Sequence, residues 1–427
     1  MRILTLILLV SLVCPIASAV AADYRYPYGD PYKATVYGTP PEMVYVVEKP
    51  VKTKVRSIRI EGRNVPAVFA HEREMDYTTA LQKGKAPLIF IIAGTGAEHN
   101  AAKMQFLTEV FHGAGFHVVA LSSPTHMNFL ISVSQYAAPG YVPHDVADLY
   151  RVMKWVKEDI EEEVEVSDYY VTGYSLGALH AAFVTHTDSL QGDFNFKKTL
   201  MINPPVSLFH SVKRLDSWLT SENLGDMSVN DEIERVLNIF SSYYELSDVT
   251  DLDDRFLYEM ITQTPLDGRD LRALIGVSFR VSSSSMIFAS DVCLRAGYVV
   301  PPDTYPLKTG SRLLPYAQES FEISFQQYME EYLLPYLQHL QPGLDRYTMM
   351  RQCSLYDIRT YLGQTDKIVL IGNRDDVILN EHDLKFITSV FGTRAKLYPS
   401  GGHCGNLMYT PFVESMLSMV KPEEVTP

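Results

Sequence analysis

Apolar residues settle into a regular rhythm from residue 87 onwards. Pro87 to Ile92 is an unbroken apolar run that ends in Ala93-Gly94-Thr95-Gly96, which predicts a buried strand followed by a glycine turn. Ala101 to Phe111 has helical spacing, and His117 to Ser123 reads as the next strand. Asp145 to Ile160 places Val146, Leu149, Val152, Met153 and Val156 on one helical face. Asp168 to Thr172 predicts a strand, Gly177 to Thr185 a helix of small residues, and Lys198 to Asn203 a further strand. Strands alternating with helices predict an α/β fold, a mostly parallel sheet with helices on both faces. Ahead of it, Lys52 to His71 alternates in a way that predicts two strands around a turn at Glu61-Gly62-Arg63-Asn64.

The rhythm stops near Pro205 and resumes at Lys367 to Ile371. The insertion between reads as mainly helical, for example over Asp231 to Leu246 and Ser320 to Leu340, where Pro335 is expected to kink or break the helix. Tyr328, Tyr332 and Tyr336 fall at helical spacing and read as core packing. The last segments are a strand at Lys396 to Pro399, the Gly401-Gly402-His403 turn, and a helix from Thr410 to Val420. The expected organisation is a leader over 1–22, a Tyr- and Pro-rich extended arm over 23–50 that covers the surface, the α/β core over 51–205 and 361–427, and the helical insertion over 206–360.

Composition changes this picture little: 46% hydrophobic and 21% charged residues are ordinary for a chain with a large core. The balance of 37 Lys+Arg against 51 Asp+Glu gives a net charge of −14, with no basic cluster to offset it, and argues against a nucleic-acid partner. The acidic stretch Glu158 to Glu165 reads as a solvated helix end. The N-terminus changes the picture more. Arg2 precedes a short apolar stretch, Ile3 to Ile16, followed by the small residues Ala17-Ser18-Ala19 and Val20-Ala21-Ala22. That pattern predicts an export signal that is cleaved, and a periplasmic or secreted product. Lipid anchoring through Cys14 is disfavoured by Val13, where a small residue is required. No transmembrane span is expected; Leu271 to Val292 comes nearest, but carries Arg272, Arg280, Asp291 and a run of serines, Ser282 to Ser285. Cys293 and Cys353 are a candidate disulfide. The chain has no Asn-x-Ser/Thr sequon, which leans towards bacterial export.

The chemistry centres on Gly173-Tyr174-Ser175-Leu176-Gly177. The motif follows a predicted strand and opens directly into a predicted helix, which is the setting that lifts a serine oxygen above a sheet. A serine hydroxyl is a poor nucleophile and needs a base within hydrogen-bond reach. His403 is the candidate, just past the final strand in a loop with two preceding glycines. The base needs an acid to hold its tautomer, and the end of the preceding strand offers Asp375, with Asp376 in reserve. Oxyanion stabilisation needs two backbone N–H groups; Leu176 and Thr95 are the candidates. Glu98, His99 and His126 match no metal-ligand spacing and read as solvated loop residues, so no metal or other cofactor is expected. Cys404 reads as a buried neighbour of the base.

Residues 87 to 205 and 365 to 420 resemble the α/β-hydrolase superfamily in Ala93-Gly94-Thr95-Gly96, Gly173-Tyr174-Ser175-Leu176-Gly177, Gly372-Asn373-Arg374-Asp375 and Gly401-Gly402-His403. The resemblance implies the α/β-hydrolase fold and acyl transfer to water through an acyl-enzyme. It also implies that the insertion at 206–360 forms a helical cap over the site. The oxyanion turn departs from the common pattern, with Ala93 in place of a histidine before Gly94. The expected function is an exported serine hydrolase acting on an ester or thioester of a small-molecule or lipid-like acyl group. An acyltransferase, a peptidase, or a non-catalytic envelope binding protein on the same fold stay open; oligomeric state is not legible.

Overall fold

The computed structural model describes residues 24–246 and 266–420; the expected export segment and Cys14 lie outside them. Eight strands form one sheet: β1 (Lys54–Arg59), β2 (Glu74–Ala80), β3 (Ala86–Ile92), β4 (His117–Leu121), β5 (Val166–Tyr174), β6 (Lys198–Ile202), β7 (Ile368–Asn373) and β8 (Ala395–Tyr398), in the order β1-β2-β4-β3-β5-β6-β7-β8. The pairings β1·β2 and β2·β4 are antiparallel, and all others are parallel. The second strand expected before His71 lies instead at β2. Pro66 lacks the N–H a ladder needs, and Ala67–Phe69 forms a 3-10 turn.

Along β3, Leu88, Phe90 and Ile92 belong to one hydrophobic core and Ile89 and Ile91 to the other, so the sheet is buried on both faces. Each such fully buried side chain contributes roughly 1.5–3 kcal/mol. The helices that follow the sheet are α2 (Ala102–Gly113), α3 (Val142–Ile160), α4 (Leu176–Gln191), α8 (Glu381–Phe391) and α9 (Thr410–Val420), while α1 (Pro31–Tyr37) lies within the N-terminal arm. Between β6 and β7 run α5 (Leu208–Asp216), α6 (Val229–Leu246) and α7 (Gly268–Leu294), then shorter helices. A helical stretch at Phe325–Gln327 continues through a π-type segment, Tyr328–Leu333, into Leu334–Leu340. Pro335 lies directly after the π-type segment within this continuous helical run, so the helix is irregular there but does not end. The tyrosine stripe is core: Tyr328 donates to Pro139 O and Tyr336 to Tyr136 O, both at 3.0 Å.

Helix α7 contains the stretch nearest to a membrane span. Among the described residues it is the one helix long and apolar enough to cross a bilayer, yet 67% of its most apolar window is buried in the protein. Several of its polar groups are answered internally. Arg280 pairs with Asp216 at 3.3 Å, Asp291 accepts the N–H groups of Tyr298, Val299 and Val300, and Ser282 to Ser285 bond carbonyls of their own helix. It is a core helix of the insertion. The expected disulfide is absent: Cys293 and Cys353 are both free thiols. Cys293 ends α7 in the field of Arg63, whereas Cys353 is buried and donates to Gly140 O at 3.6 Å, so each has its own setting.

The parallel register aligns the carboxyl ends of the central strands. Ile92 pairs with Gly173, Tyr174 with Ile202, Ile202 with Ile371, and Asn373 with Tyr398. The residues that follow β3, β5, β6, β7 and β8 therefore emerge along one edge of the sheet, where open α/β sheets carry their sites.

Candidate active site

Ser175 stands between β5 and α4 with φ 54° and ψ −126°, a conformation that L-residues rarely adopt. Its neighbours make the turn possible. A Cβ on Gly177 would lie 2.1 Å from Ile92 O, and one on Gly173 would lie 2.4 Å from the Gly177 backbone, so only glycine permits the close crossing of β3 and the elbow. The Ser175 N–H donates to Ile202 O at 2.9 Å, tying the strained turn to β6.

The serine oxygen lies 2.9 Å from His403 Nε2, and His403 Nδ1 lies 3.0 Å from both carboxylate oxygens of Asp376. With its proton on Nδ1 and donated to Asp376, the imidazole presents Nε2 as the acceptor for the serine O–H. The Asp376 side chain is fully buried, and that of His403 is 18% exposed. Asp376 also accepts from Asn203 Nδ2 at 2.9 Å and from the Ile378 N–H at 3.1 Å, so the buried charge is held by hydrogen bonds as well as by its partner.

The acid is the point at which the sequence reading needs correction. Asp375 does not reach the imidazole; its carboxylate accepts the N–H groups of Gly401 and Gly402 at 3.2 and 3.0 Å. Adjacent residues in the turn after β7 face different ways. Asp376 turns back over β6 to Asn203, and Asp375 turns to the backbone of the histidine loop. Burial pushes the Asp375 carboxyl above its usual range, against the lowering effect of the two glycine amides.

The histidine loop rests on the N-terminal arm, which sequence reasoning treated as simple covering. The His403 N–H donates to Thr35 Oγ1 at 2.9 Å, and that hydroxyl donates to Pro31 O at 2.6 Å. A Cβ on Gly402 would lie 2.3 Å from Pro31 O, and one on Gly405 would lie 2.0 Å from Ala34 O, so loop and α1 pack backbone to backbone. Behind them, Tyr24 donates to Ser400 O and Asn406 bonds Tyr24, each at 2.7 Å. Asn373 donates to Gly402 O and to Asn406 Oδ1, each at 2.8 Å. Thr35, Asn203, Asn373 and Asn406 were all missed in the sequence. A signal for α1 existed in Asp30-Pro31, an N-cap followed by proline at the first helical position.

The two candidate oxyanion donors flank the serine. Leu176 opens α4, where the first N–H groups lack helical acceptors and the helix dipole is positive. Thr95 lies in the turn after β3 and lines the same cavity as Ser175. Among the described residues neither backbone N–H has a protein acceptor. Helix α7 closes over this turn: a Cβ on Gly96 would lie 2.6 Å from Ser282 Cβ. Beneath α7 is a cavity of about 680 Å³, walled by Ser175, His403 and Cys404 on one side and by Leu215, Val236, Leu274, Ile275, Phe279 and Val281 of the insertion on the other. Burial pushes the Cys404 thiol up to about 12, so it stays protonated beside the imidazole.

His99 is buried rather than solvated as expected, and its Nε2 lies 3.8 Å from Glu98 Oε1. His99 Nδ1 bonds Thr78 Oγ1 at 2.7 Å, and the His126 ring accepts from the Asn128 N–H at 3.3 Å. No group of three or more side chains able to hold a metal occurs among the described residues.

No family model matches the chain, and no curated protein matches it. Among solved structures it is similar to the thioesterase domain from the curacin biosynthetic pathway, at 13% identity and a TM-score of 0.42, over 86% of this chain and 99% of that one. An esterase of Pyrococcus furiosus is similar at 13% identity and a TM-score of 0.41, over 90% and 98%. Brefeldin A esterase, described as a bacterial homologue of human hormone sensitive lipase, is similar at 14% identity and a TM-score of 0.42, over 90% and 78%. The molecule's own topology settles the architecture. With its eight-stranded order, a serine elbow after β5, a carboxylate after β7 and a histidine after β8, this chain has the α/β-hydrolase fold with a helical insertion between β6 and β7.

Proposed function

We propose that this chain is an exported serine hydrolase that cleaves a carboxylic ester or thioester through an acyl-enzyme. Ser175 Oγ attacks the carbonyl carbon as its proton passes to His403 Nε2, and Asp376 stabilises the resulting imidazolium. The Thr95 and Leu176 N–H groups receive the oxyanion, a contribution of about 3–4 kcal/mol for each well-aimed donor. The intermediate collapses, His403 returns the proton to the departing oxygen or sulfur, and the acyl group stays on Ser175. Water, deprotonated by His403, then releases the acid and restores the serine. The largely apolar wall of the cavity supports an apolar acyl group, and the basic and apolar start of the chain followed by small residues supports export.

The observation that carries this reading is the continuous chain from Ser175 Oγ through His403 to Asp376, with spacings of 2.9 and 3.0 Å. A fluorophosphonate probe tests it. The wild type is expected to label once, on the peptide containing Ser175, and Ser175→Ala to lose the label. A folded wild type that does not label favours a binding protein on this fold.

A further inference from the structure

The turn that carries Thr95 is gripped from two sides. A Cβ on Gly94 would lie 2.7 Å from Tyr174 Cε2 and 3.3 Å from Ser175 Cβ, so the start of the turn sits flush against the serine elbow. At its far end Gly96, with φ 67°, meets α7. The three atoms nearest to a Cβ placed on Gly96 are Ser282 Cβ, Oγ and Cα, at 2.6, 3.0 and 3.4 Å. Hydrogen bonds within the core complete the frame. The Ala97 N–H donates to Gly94 O at 3.1 Å, the Gly96 N–H to Thr125 Oγ1 at 2.8 Å, and the Ser123 N–H to Ala97 O at 3.0 Å. Thr95 stands between the two glycines and lines the cavity with Ser175.

Helix α7 is anchored firmly enough to serve as a stop for that turn. Arg280, just ahead of Ser282, donates to Asp216 Oδ1 at 3.3 Å and to Phe321 O at 2.9 Å. A Cβ on Gly276 would lie 3.0 Å from Leu219 Cγ, so α7 is tightly packed there too. The Arg272 guanidinium lies 5.4 Å from the ring centre of Tyr32 on α1, the helix that also carries Thr35. The Ser282 hydroxyl is engaged with Ser278 O at 3.0 Å, so what this residue offers the turn is the bulk of its Cβ. An oxyanion donor contributes only if it is aimed before the charge develops, and a displacement of about 1 Å can cost about a hundredfold in rate. We propose that Ser282 is a positioning residue for the reaction: its Cβ, backed by α7, stops the turn at 94–96 from shifting and so aims the Thr95 N–H at the oxyanion. This inference rests on the hydrolase reading above, with Thr95 as a donor.

The test is a double-mutant cycle between Gly96→Ala and Ser282→Gly. It is read as kcat/KM for an activated hexanoyl ester and as the inhibition constant of a hexyl trifluoromethyl ketone, whose serine adduct carries an oxyanion in the same place. Gly96→Ala puts a methyl group where Ser282 stands, and is expected to lower kcat/KM and ketone affinity together by about a hundredfold. Adding Ser282→Gly removes Cβ and Oγ and leaves Cα at 3.4 Å, an ordinary contact. It is expected to restore about tenfold in both readouts, the remaining loss being the strain of alanine at positive φ. Ser282→Gly alone is expected to lose about tenfold in both, and Ser282→Ala, which returns the Cβ without the hydroxyl, to recover most of it. That second pair decides the matter even where Gly96→Ala fails to fold. Thermal melting is followed throughout, because a merely structural role would move the midpoint and leave both constants alone. Ser282→Gly as active as Ser282→Ala, no rescue of Gly96→Ala by Ser282→Gly, or a loss of rate without a matching loss of ketone affinity would overturn the proposal. A wild type that neither hydrolyses the ester nor takes the fluorophosphonate label would instead remove the hydrolase reading, and the proposal with it.

Discussion

Thr35 offers a sharp test of how the base is held, because it belongs to an arm distant in sequence from every other site residue. Its hydroxyl accepts the His403 N–H at 2.9 Å and donates to Pro31 O at 2.6 Å. Thr35→Val keeps the branched shape and removes both bonds. The loss of one hydrogen bond and an N–H left unanswered costs about 1–1.5 kcal/mol, which is about tenfold in rate when it falls on the positioning of the base. The change should appear in kcat for ester hydrolysis and in the rate of fluorophosphonate labelling. Thr35→Ser restores the hydroxyl and should recover most of the rate. Steady-state kinetics of the two variants, with thermal melting as a control on folding, measure this. A Thr35→Val rate within twofold of wild type, or a loss that Thr35→Ser fails to rescue, would refute the reasoning.

Replacing the two neighbouring aspartates separates their roles. Asp376→Asn should lower kcat by about three to four orders of magnitude through the wrong imidazole tautomer, whereas Asp375→Asn should cost about tenfold, through the loop alone. The three free thiols among the described residues, Cys293, Cys353 and Cys404, each pushed up to about 12 by burial, should resist iodoacetamide at about pH 8 in the folded protein and all react after unfolding. Mass spectrometry counts the adducts, and the loss of two sites after non-reducing unfolding would reveal a disulfide. Burial lowers the pKa of His99, His117, His126, His144 and His186. The unfolded chain then binds more protons than the folded one just below the ordinary histidine value, about 6.5. Stability from these groups is full above that value and is lost as pH falls below it. The thermal midpoint should therefore drop between about pH 7 and about pH 5, and a flat profile would contradict it.

Much of the site was legible because its chemistry is tied to local pattern. The elbow at Ser175 needs glycines on both sides and a strand-to-helix switch, all of which are contiguous in the chain. His403 was legible from its paired glycines after the last strand. The choice between Asp375 and Asp376 was not, since it depends on the direction of one turn relative to Asn203 just after β6, a contact spanning 173 positions. Thr35 was hidden for the same reason, 368 positions from the histidine it supports. The helix α8 was missed although Asn380 and Asp383 form a capping box at its start. In the fold, periodicity located the central strands to within a residue or two. It misplaced β2, because alternation alone does not register a proline's missing donor.

The central claim is that Ser175 forms a covalent acyl intermediate. The direct measurement is rapid mixing with an activated hexanoyl ester, acid quench, and mass spectrometry of the proteolysed chain. The account predicts one added acyl group on the peptide containing Ser175, forming in the first turnover and absent from Ser175→Ala. Turnover of the ester with that peptide unmodified, or with Ser175→Ala equally active, would contradict it.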